Sequence, residues 1–142
     1  MPRATYSVTI DRPSDAVFAF VADGENAKRW RSGVLDIARV SGDGVGARYA
    51  QGVKGPMGRR VAADYEVTVS EPGRRLEFQT VAGPVRPHGR FDLEPAGEGT
   101  RLTFTLDAEL SGIKKLLMGS MVQSSMDAET KALDSLKGVL EA

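Results

Sequence analysis

The C-terminal thirty residues, from Ile113 to Ala142, constrain the fold of this chain more than any other segment. Seven of them recur at steps of three or four, the spacing of one face of an α-helix: Met118, Val122, Met126, Glu129, Leu133, Leu136 and Leu140. The later part of this face is rich in Leu, whereas the earlier part carries Met among Gly and Ser, and Met packs adaptably against irregular apolar surfaces. The sequence therefore predicts one long helix that joins the core at its C-terminal end and roofs a cavity at its N-terminal end. An ordinary core helix with a polar start is the alternative.

Alternating apolar and polar residues dominate the chain before this helix. Thr5–Ile10 begins the pattern, and two short helical segments follow, one after Pro13 and one at Asn26–Trp30. Further strands are predicted over 34–40, 47–55, 60–69, 76–80, 91–93 and 100–110. Such an order predicts a single α+β domain over residues 1–142, with a curled antiparallel sheet of about six or seven strands. The long helix must then cover the apolar face of that sheet.

Composition excludes several classes of function. Lysine and arginine together number 19, as do aspartate and glutamate, so the chain lacks the positive field that nucleic-acid binding requires. It has no cysteine and one histidine, His88, which excludes disulfides, thiolate sites and a histidine metal cluster. We therefore expect neither a metal nor a cofactor. No run of 18 or more apolar residues is present and the start does not resemble a secretory signal, so we expect a cytoplasmic protein without stable membrane insertion.

Short stretches along the chain carry a resemblance to a known family. They are IDRP at 10–13, VF at 17–18, VADGENAKRW at 21–30, LEP at 93–95, GTRLT at 99–103 and LKGVLE at 136–141. In this order they resemble the START-like superfamily, also called SRPBCC, and within it the polyketide cyclase/dehydrase-type branch. The resemblance spans nearly the whole chain. It implies a helix-grip fold with a deep apolar cavity between the sheet and the C-terminal helix.

The same resemblance implies no single activity, because the superfamily includes lipid carriers, plant hormone receptors and aromatic polyketide cyclases. We carry over no catalytic residue from it. The residues themselves offer four polar side chains on strand faces predicted to point inward: Tyr49, Gln51, Tyr65 and Thr80. In a mostly apolar cavity such groups orient a ligand carbonyl or hydroxyl. Alternatively, the tyrosine hydroxyls reach solvent or a backbone carbonyl.

Three further residues have two interpretations each. Glu129 interrupts the apolar helix face, where it either meets a ligand hydroxyl or acts as an acid or base, or else pairs with a lysine or arginine at the rim. Trp30 either stacks on a flat ligand at the cavity mouth or anchors the core. His88 is the one histidine and, because this residue type suits acid–base chemistry, a tempting general base, but strand parity with Phe91 and Leu93 inward predicts that it points outward.

These patterns predict a protein that binds a small hydrophobic molecule (a lipid, isoprenoid, polyketide or aromatic compound) as a carrier or sequestering protein, either as a monomer or as a homodimer. The alternative is an enzyme of the polyketide cyclase or dehydratase kind, with Tyr49, Tyr65 and Glu129 as acid or base candidates and proximity supplying most of the catalysis. The absence of a recognisable nucleophile or metal motif favours the carrier. The predicted ligand-binding residues are Trp30, Tyr49, Gln51, Tyr65, Phe78, Phe91, Phe104, Met118, Met121, Val122, Met126 and Glu129.

Overall fold

The computed structural model describes residues 2–142, which form eight strands and three α-helices. The strands are β1 (Arg3–Ile10), β2 (Val34–Ser41), β3 (Arg48–Lys54), β4 (Arg60–Ala62), β5 (Tyr65–Glu71), β6 (Arg75–Thr80), β7 (His88–Ala96) and β8 (Gly99–Asp107). The α-helices are α1 (Ser14–Ala22), α2 (Ile113–Lys131) and α3 (Leu133–Glu141). Two short 3-10 helices lie at Gly24–Arg29 and Pro56–Gly58. Both short helical segments predicted after the first strand are therefore present.

The strands form one curled antiparallel sheet, in the order β1-β8-β7-β6-β5-β3-β2, with β4 paired to β3. Its register places inward-facing residues of neighbouring strands side by side, with Phe91 of β7 opposite Phe104 of β8. Tyr6 of β1 lies opposite the same Phe104. The predicted helix-grip class, a curled sheet with a long C-terminal helix, is confirmed.

One predicted strand is divided in two. The alternation over residues 60–69 continues without a break in the sequence, yet the chain leaves the ladder between β4 and β5, at Ala63 and Asp64. Gln51 of β3 explains the interruption, because its side chain donates to the carbonyl of Ala63 and its backbone N–H donates to the Asp64 carboxylate. These bonds hold the two residues against β3, between the two segments that both pair antiparallel with it.

The predicted C-terminal helix is long but bent at Ala132. Here the N–H of Ala132 bonds to the carbonyl of Glu129, three residues back, and the hydroxyl of Thr130 bonds to the carbonyl of Asp127. Such tighter bonds locally replace the α-helical ladder and turn its axis. The bend lets α2 pack on β1 and β8 while α3 continues along β1.

Side chains of the two helices also bond to the backbone of β1, which is an end strand of the sheet. The Gln123 amide donates to the carbonyl of Arg3 at 2.6 Å and accepts from its N–H at 3.1 Å. Lys137 donates to the carbonyl of Thr9, and Glu141 accepts from the N–H of Asp11 at 2.7 Å. The helices therefore satisfy backbone groups that an open sheet edge would leave free.

Candidate functional site

Six aromatic rings form a continuous row through the interior, which we call the aromatic column. At one end Tyr49 and Tyr65 stack with centroids 5.0 Å apart, and Phe78 follows Tyr65 at 5.0 Å. Phe78 lies 6.3 Å from Phe91 and 6.4 Å from Phe104. The column consists of Tyr49, Tyr65, Phe78, Phe91, Phe104 and Trp30. All six are predicted ligand-binding residues, and the fold brings them together.

The far end of the column has a different geometry. Phe91 and Phe104 stack nearly parallel at 4.3 Å, and the Trp30 ring meets each of them edge-on at 6.3 Å. Trp30 is only 6% exposed, although it follows the 3-10 helix and does not lie in a strand. It closes the column from the side opposite the sheet.

Two glycines make room for these rings. The Phe78 side chain lies across Gly89 of the neighbouring strand, where a Cβ atom would stand 2.1 Å from the ring. At Gly24 a Cβ would lie 2.2 Å from the Tyr65 hydroxyl and 2.7 Å from the Tyr49 ring. Any larger residue at either position would force these rings to move.

A polar group, which we call the Arg31 cluster, lies beside Trp30. The Arg31 guanidinium donates from Nε to the Glu129 carboxylate of α2 and from a terminal nitrogen to the Gln51 side-chain oxygen of β3, at 2.9 Å. The side chains of Arg31 and Glu129 are 15% and 25% exposed, and Gln51 is 4% exposed. The guanidinium carbon lies 5.9 Å from the centre of the Trp30 ring. The cluster thus joins three separate parts of the chain next to the aromatic column.

Glu129 therefore adopts the second of its two predicted arrangements, pairing with an arginine. Arg31 itself was not among the predicted site residues. The apolar face around Glu129 did indicate that a cation or a hydroxyl should lie nearby, but 19 lysines and arginines were available. Only the path of the chain after the 3-10 helix selects Arg31.

The Tyr65 phenol is kept protonated by its surroundings. Burial raises the pKa of Tyr65 well above its ordinary value of 10.0, and the positive charge of Arg31 opposes this shift without cancelling it. At neutral pH the hydroxyl is therefore a hydrogen-bond donor or acceptor and not a base. The Tyr49 hydroxyl donates to the carbonyl of Ala22 at 3.4 Å. This is the alternative arrangement expected from the sequence, in which a tyrosine hydroxyl reaches a backbone carbonyl.

The predicted apolar residues of α2 divide between two sides of the helix. Val122 and Met126 are buried, and Met118 packs partly buried against the same core. Met121 is 50% exposed and lies apart from the aromatic column. Three of these four side chains therefore face the interior.

The remaining two candidates lie on opposite faces of the sheet. Thr80 is buried, at 5% exposure. His88 lies on the outer face, with Nε2 3.0 Å from Glu77 and Nδ1 3.9 Å from Asp107. These positions follow the strand parity expected from the sequence.

Two pockets on the described part of the chain are lined by residues outside α2. One, of about 290 Å³, lies between α1, the β2–β3 turn and the sheet; its apolar wall includes Phe18, Tyr49 and Leu76. The other, of about 370 Å³, lies on the outer face, where Asp92 pairs with Arg75 and Arg90. Under α2 the aromatic rings and apolar side chains occupy the interior.

Comparison with known proteins identifies the group to which this architecture belongs. Residues 1–141 match the family described as polyketide cyclase / dehydrase and lipid transport. The chain belongs to this family. No curated protein matches the sequence.

Solved structures share the fold of this family member. A Thermus thermophilus protein is 26% identical, with a TM-score of 0.82, over 96% of this chain and 95% of that one. A START superfamily protein from Mycobacterium smegmatis is 19% identical, with a TM-score of 0.78, over 98% and 97% of the two chains. The Zhui aromatase/cyclase from Streptomyces sp. R1128 is 15% identical, with a TM-score of 0.78, over 98% and 93%. Identities of 19% and 15% show a shared fold only.

Two further observations describe this family member. Within residues 2–142, no helix combines the length and the apolar character needed to cross a membrane. The same residues hold no group of three or more histidine, aspartate or glutamate side chains arranged to bind a metal ion.

Proposed function

We propose that this protein binds a small hydrophobic molecule between the sheet and α2 and acts as a cytoplasmic carrier or sequestering protein. The observation that carries the proposal is the position of the Arg31 cluster at one side of the aromatic column. This arrangement joins a large apolar surface to a few placed polar groups, which is the usual composition of a site for an apolar ligand. The family's description, which includes lipid transport, supports the same function.

The aromatic column determines what shape of ligand fits best. Stacked and edge-on rings with centroids 4.3 to 6.4 Å apart offer flat surfaces on which another ring or a conjugated chain can stack. Because these rings pack against one another here, a ligand needs side chains to move aside. The first half of α2 is the element best suited to move, since its inner side carries Met118 and Gly119 and Ile113 on its outer side is 73% exposed.

The Arg31 cluster determines where a polar group of the ligand would lie. A guanidinium carries five N–H donors, and the bonds to Glu129 and Gln51 use two of them. The remaining donors suit a carbonyl, hydroxyl or carboxylate oxygen. We therefore expect a ligand with a flat or extended apolar body and one oxygen-bearing end.

Native mass spectrometry of protein purified from its own host tests this proposal. We expect a retained small molecule, and displacement of a bound lipophilic dye by that molecule. Replacing Arg31 by Gln should weaken its binding by about tenfold to a hundredfold, since hydrogen bonds to charged groups contribute about 1.5 to 3 kcal/mol. Glu129→Gln should alter affinity less, because Arg31 keeps its charge. Cell fractionation tests the location.

Arg48→Gln is the matched control. Arg48 also pairs with a glutamate, Glu66, but on an exposed part of the sheet, with a side chain 54% exposed. Its replacement should leave binding unchanged. No retained molecule together with no dye binding, or equal effects of the Arg31 and Arg48 changes, would contradict the proposal.

A polyketide cyclase or dehydratase activity is the second candidate, favoured by the other half of the family's description. Holding two carbons of a poly-carbonyl chain in contact accounts for roughly 7 to 11 kcal/mol of a barrier, so no catalytic triad is required. The protonated Tyr65 would then donate to a developing alkoxide, and Arg31 would stabilise its charge.

Cyclisation of a synthetic poly-carbonyl substrate tests this second candidate. Wild-type protein should accelerate ring closure, and Tyr65→Phe should lower the rate at unchanged substrate affinity. If the wild type causes no acceleration, or if changing Tyr49, Tyr65 and Glu129 together leaves the rate unaltered, the enzyme hypothesis fails while the carrier hypothesis stands.

A further inference from the structure

One ion pair attaches the C-terminal end of α2 to the rest of the fold. Among residues 2–142, Glu129 is the only residue of α2 that forms a salt bridge, and its partner is Arg31, which lies between the first 3-10 helix and β2. Glu129 lies in the last turn of α2, where its own carbonyl accepts from the N–H of Ala132 at the bend. A carboxylate on a helix therefore occupies the guanidinium that lies beside the aromatic column.

Gln51 holds that guanidinium in place independently of Glu129. Its side-chain oxygen accepts from a terminal nitrogen of Arg31 at 2.9 Å, while its side-chain nitrogen donates to the carbonyl of Ala63 at 3.0 Å. Gln51 is buried, so its surroundings and these two bonds fix its orientation. We therefore expect Arg31 to keep its direction when Glu129 moves away.

The hydrogen bonds of Arg31 leave a second carboxylate one way to bind with both oxygens. A guanidinium binds a carboxylate most strongly through two neighbouring N–H groups. Glu129 occupies Nε and Gln51 occupies a terminal nitrogen, so each pair of neighbouring groups already has one member in use. Because Gln51 is fixed, an incoming carboxylate gains a full pair only where Glu129 leaves Nε. A carbonyl or hydroxyl oxygen needs a single donor and displaces nothing.

Charge favours the same exchange. The Arg31 side chain is mostly buried, and its guanidinium carbon lies 5.9 Å from the centre of the Trp30 ring. A cation in such a site is costly to leave without a partner, and two carboxylates on one guanidinium repel each other. A ligand that enters under α2 displaces this helix and loosens the Glu129 pair. Only a ligand that brings its own carboxylate then restores neutrality at Arg31.

We propose that the ligands of this protein are carboxylic acids with a flat or extended apolar body, and that Glu129 occupies the position of their carboxylate until they bind. The acid group replaces Glu129 on Arg31, and the apolar body lies along the aromatic column. This inference rests on the proposed function, since it names the chemical class of the ligand bound there. Binding of the acid also releases the end of α2 from its ion pair.

Isothermal titration calorimetry with naphthoate and naphthamide tests the exchange, because these probes share one ring system and differ in charge. We expect wild-type protein to bind naphthoate about tenfold more tightly than naphthamide at neutral pH. Arg31→Gln should remove this preference by weakening naphthoate binding alone. Glu129→Gln should strengthen naphthoate binding about fivefold, because it removes the competing carboxylate, and should leave naphthamide binding unchanged.

Glu66→Gln is the matched control. Glu66 accepts from Arg48 at 2.9 Å on an exposed part of the sheet, so the loss of its charge should change the affinity for neither probe. Glu129→Asp answers the case in which Glu129→Gln does not fold. It keeps the negative charge on a shorter side chain, which loosens the ion pair, so naphthoate binding should still be stronger than in the wild type.

Trp30 reports where the probes bind, because it is the only tryptophan of the chain. Both probes should shift its indole N–H signal in the nuclear magnetic resonance spectrum. The inference is overturned if the wild type binds both probes equally or binds neither, or if Glu129→Gln strengthens naphthoate binding no more than Glu66→Gln does. Equal affinities with a shifted Trp30 signal leave the carrier function standing, whereas that function fails on its own test, the absence of a retained molecule and of dye binding.

Discussion

Single residues decide how closely the aromatic column packs, and Gly89 is the clearest case. Replacing it by alanine would place a Cβ atom 2.1 Å from the Phe78 ring, which is held between Tyr65 and Phe91. We expect Gly89→Ala to lower the free energy of unfolding by about 1 to 3 kcal/mol, the usual effect of overpacking a core. Urea denaturation followed by circular dichroism measures this.

Gly138→Ala is the corresponding control. Gly138 lies in α3 and is exposed, and a Cβ atom added there would point into open space. Because alanine favours a helix more than glycine does, this change should stabilise the protein by about 0.5 to 1 kcal/mol. If both changes shifted stability in the same direction, the close approach of Phe78 to β7 would be wrong.

Residue-scale features were predictable only where periodicity applies. Inward strand positions such as Phe78, Phe91 and Phe104 follow from alternation with a period of two. The pairing of Glu129 with Arg31 does not follow from such a pattern. Arg31 lies in an irregular segment, where no periodicity predicts the direction of its side chain. Pairing between such distant residues depends on the whole chain path.

At the scale of elements, α2 protects the edge of β1 through one side chain. Gln123→Ala would remove both bonds to the backbone of Arg3 and so leave that residue's N–H and carbonyl unpaired by the helix. We expect a loss of about 1 kcal/mol in the free energy of unfolding and faster hydrogen exchange at the Arg3 amide. Nuclear magnetic resonance measures the exchange, with Ser124→Ala, exposed on the same helix, as the control. Unchanged exchange at Arg3 would show that Gln123 does not cover the edge.

Element types were predictable from the sequence, while their interruptions were not. The break at Ala63 and Asp64 comes from hydrogen bonds with Gln51, a residue of another strand, and so has no local sequence signal. The bend at Ala132 likewise lacks the proline or glycine that usually marks one. Tertiary contacts override local pattern at both places.

At the scale of the whole molecule, two hydrogen-bonded carboxylates make stability depend on acid pH. The pKa of Glu141 lies below its ordinary 4.5, first because Lys137 donates a hydrogen bond to the carboxylate and second because the Asp11 N–H does. The pKa of Asp36 lies below its ordinary 3.8 because Arg60 donates to that carboxylate. Because the folded-state pKa values are depressed, the stabilisation is present above the ordinary values and is lost as pH falls through the folded ones. We expect the melting temperature to decline below about pH 4.5.

Asp36→Asn with Glu141→Gln tests the origin of that decline. The double variant should melt at a lower temperature than the wild type at pH 7 and lose less on acidification. Glu98→Gln, in the exposed turn between β7 and β8, should leave the wild-type profile intact. An equally steep acid decline in the double variant would place its cause elsewhere.

The pairing of β1 with β8 also has a consequence for biosynthesis. Arg3 pairs with Asp107, so β1 finds its hydrogen-bonding neighbour only after β2–β7, and then β8 itself, have emerged from the ribosome. Until then its backbone is free to pair wrongly, and contacts so distant along the chain form slowly. Nascent chains of this protein should therefore depend on chaperones until translation reaches the last strand.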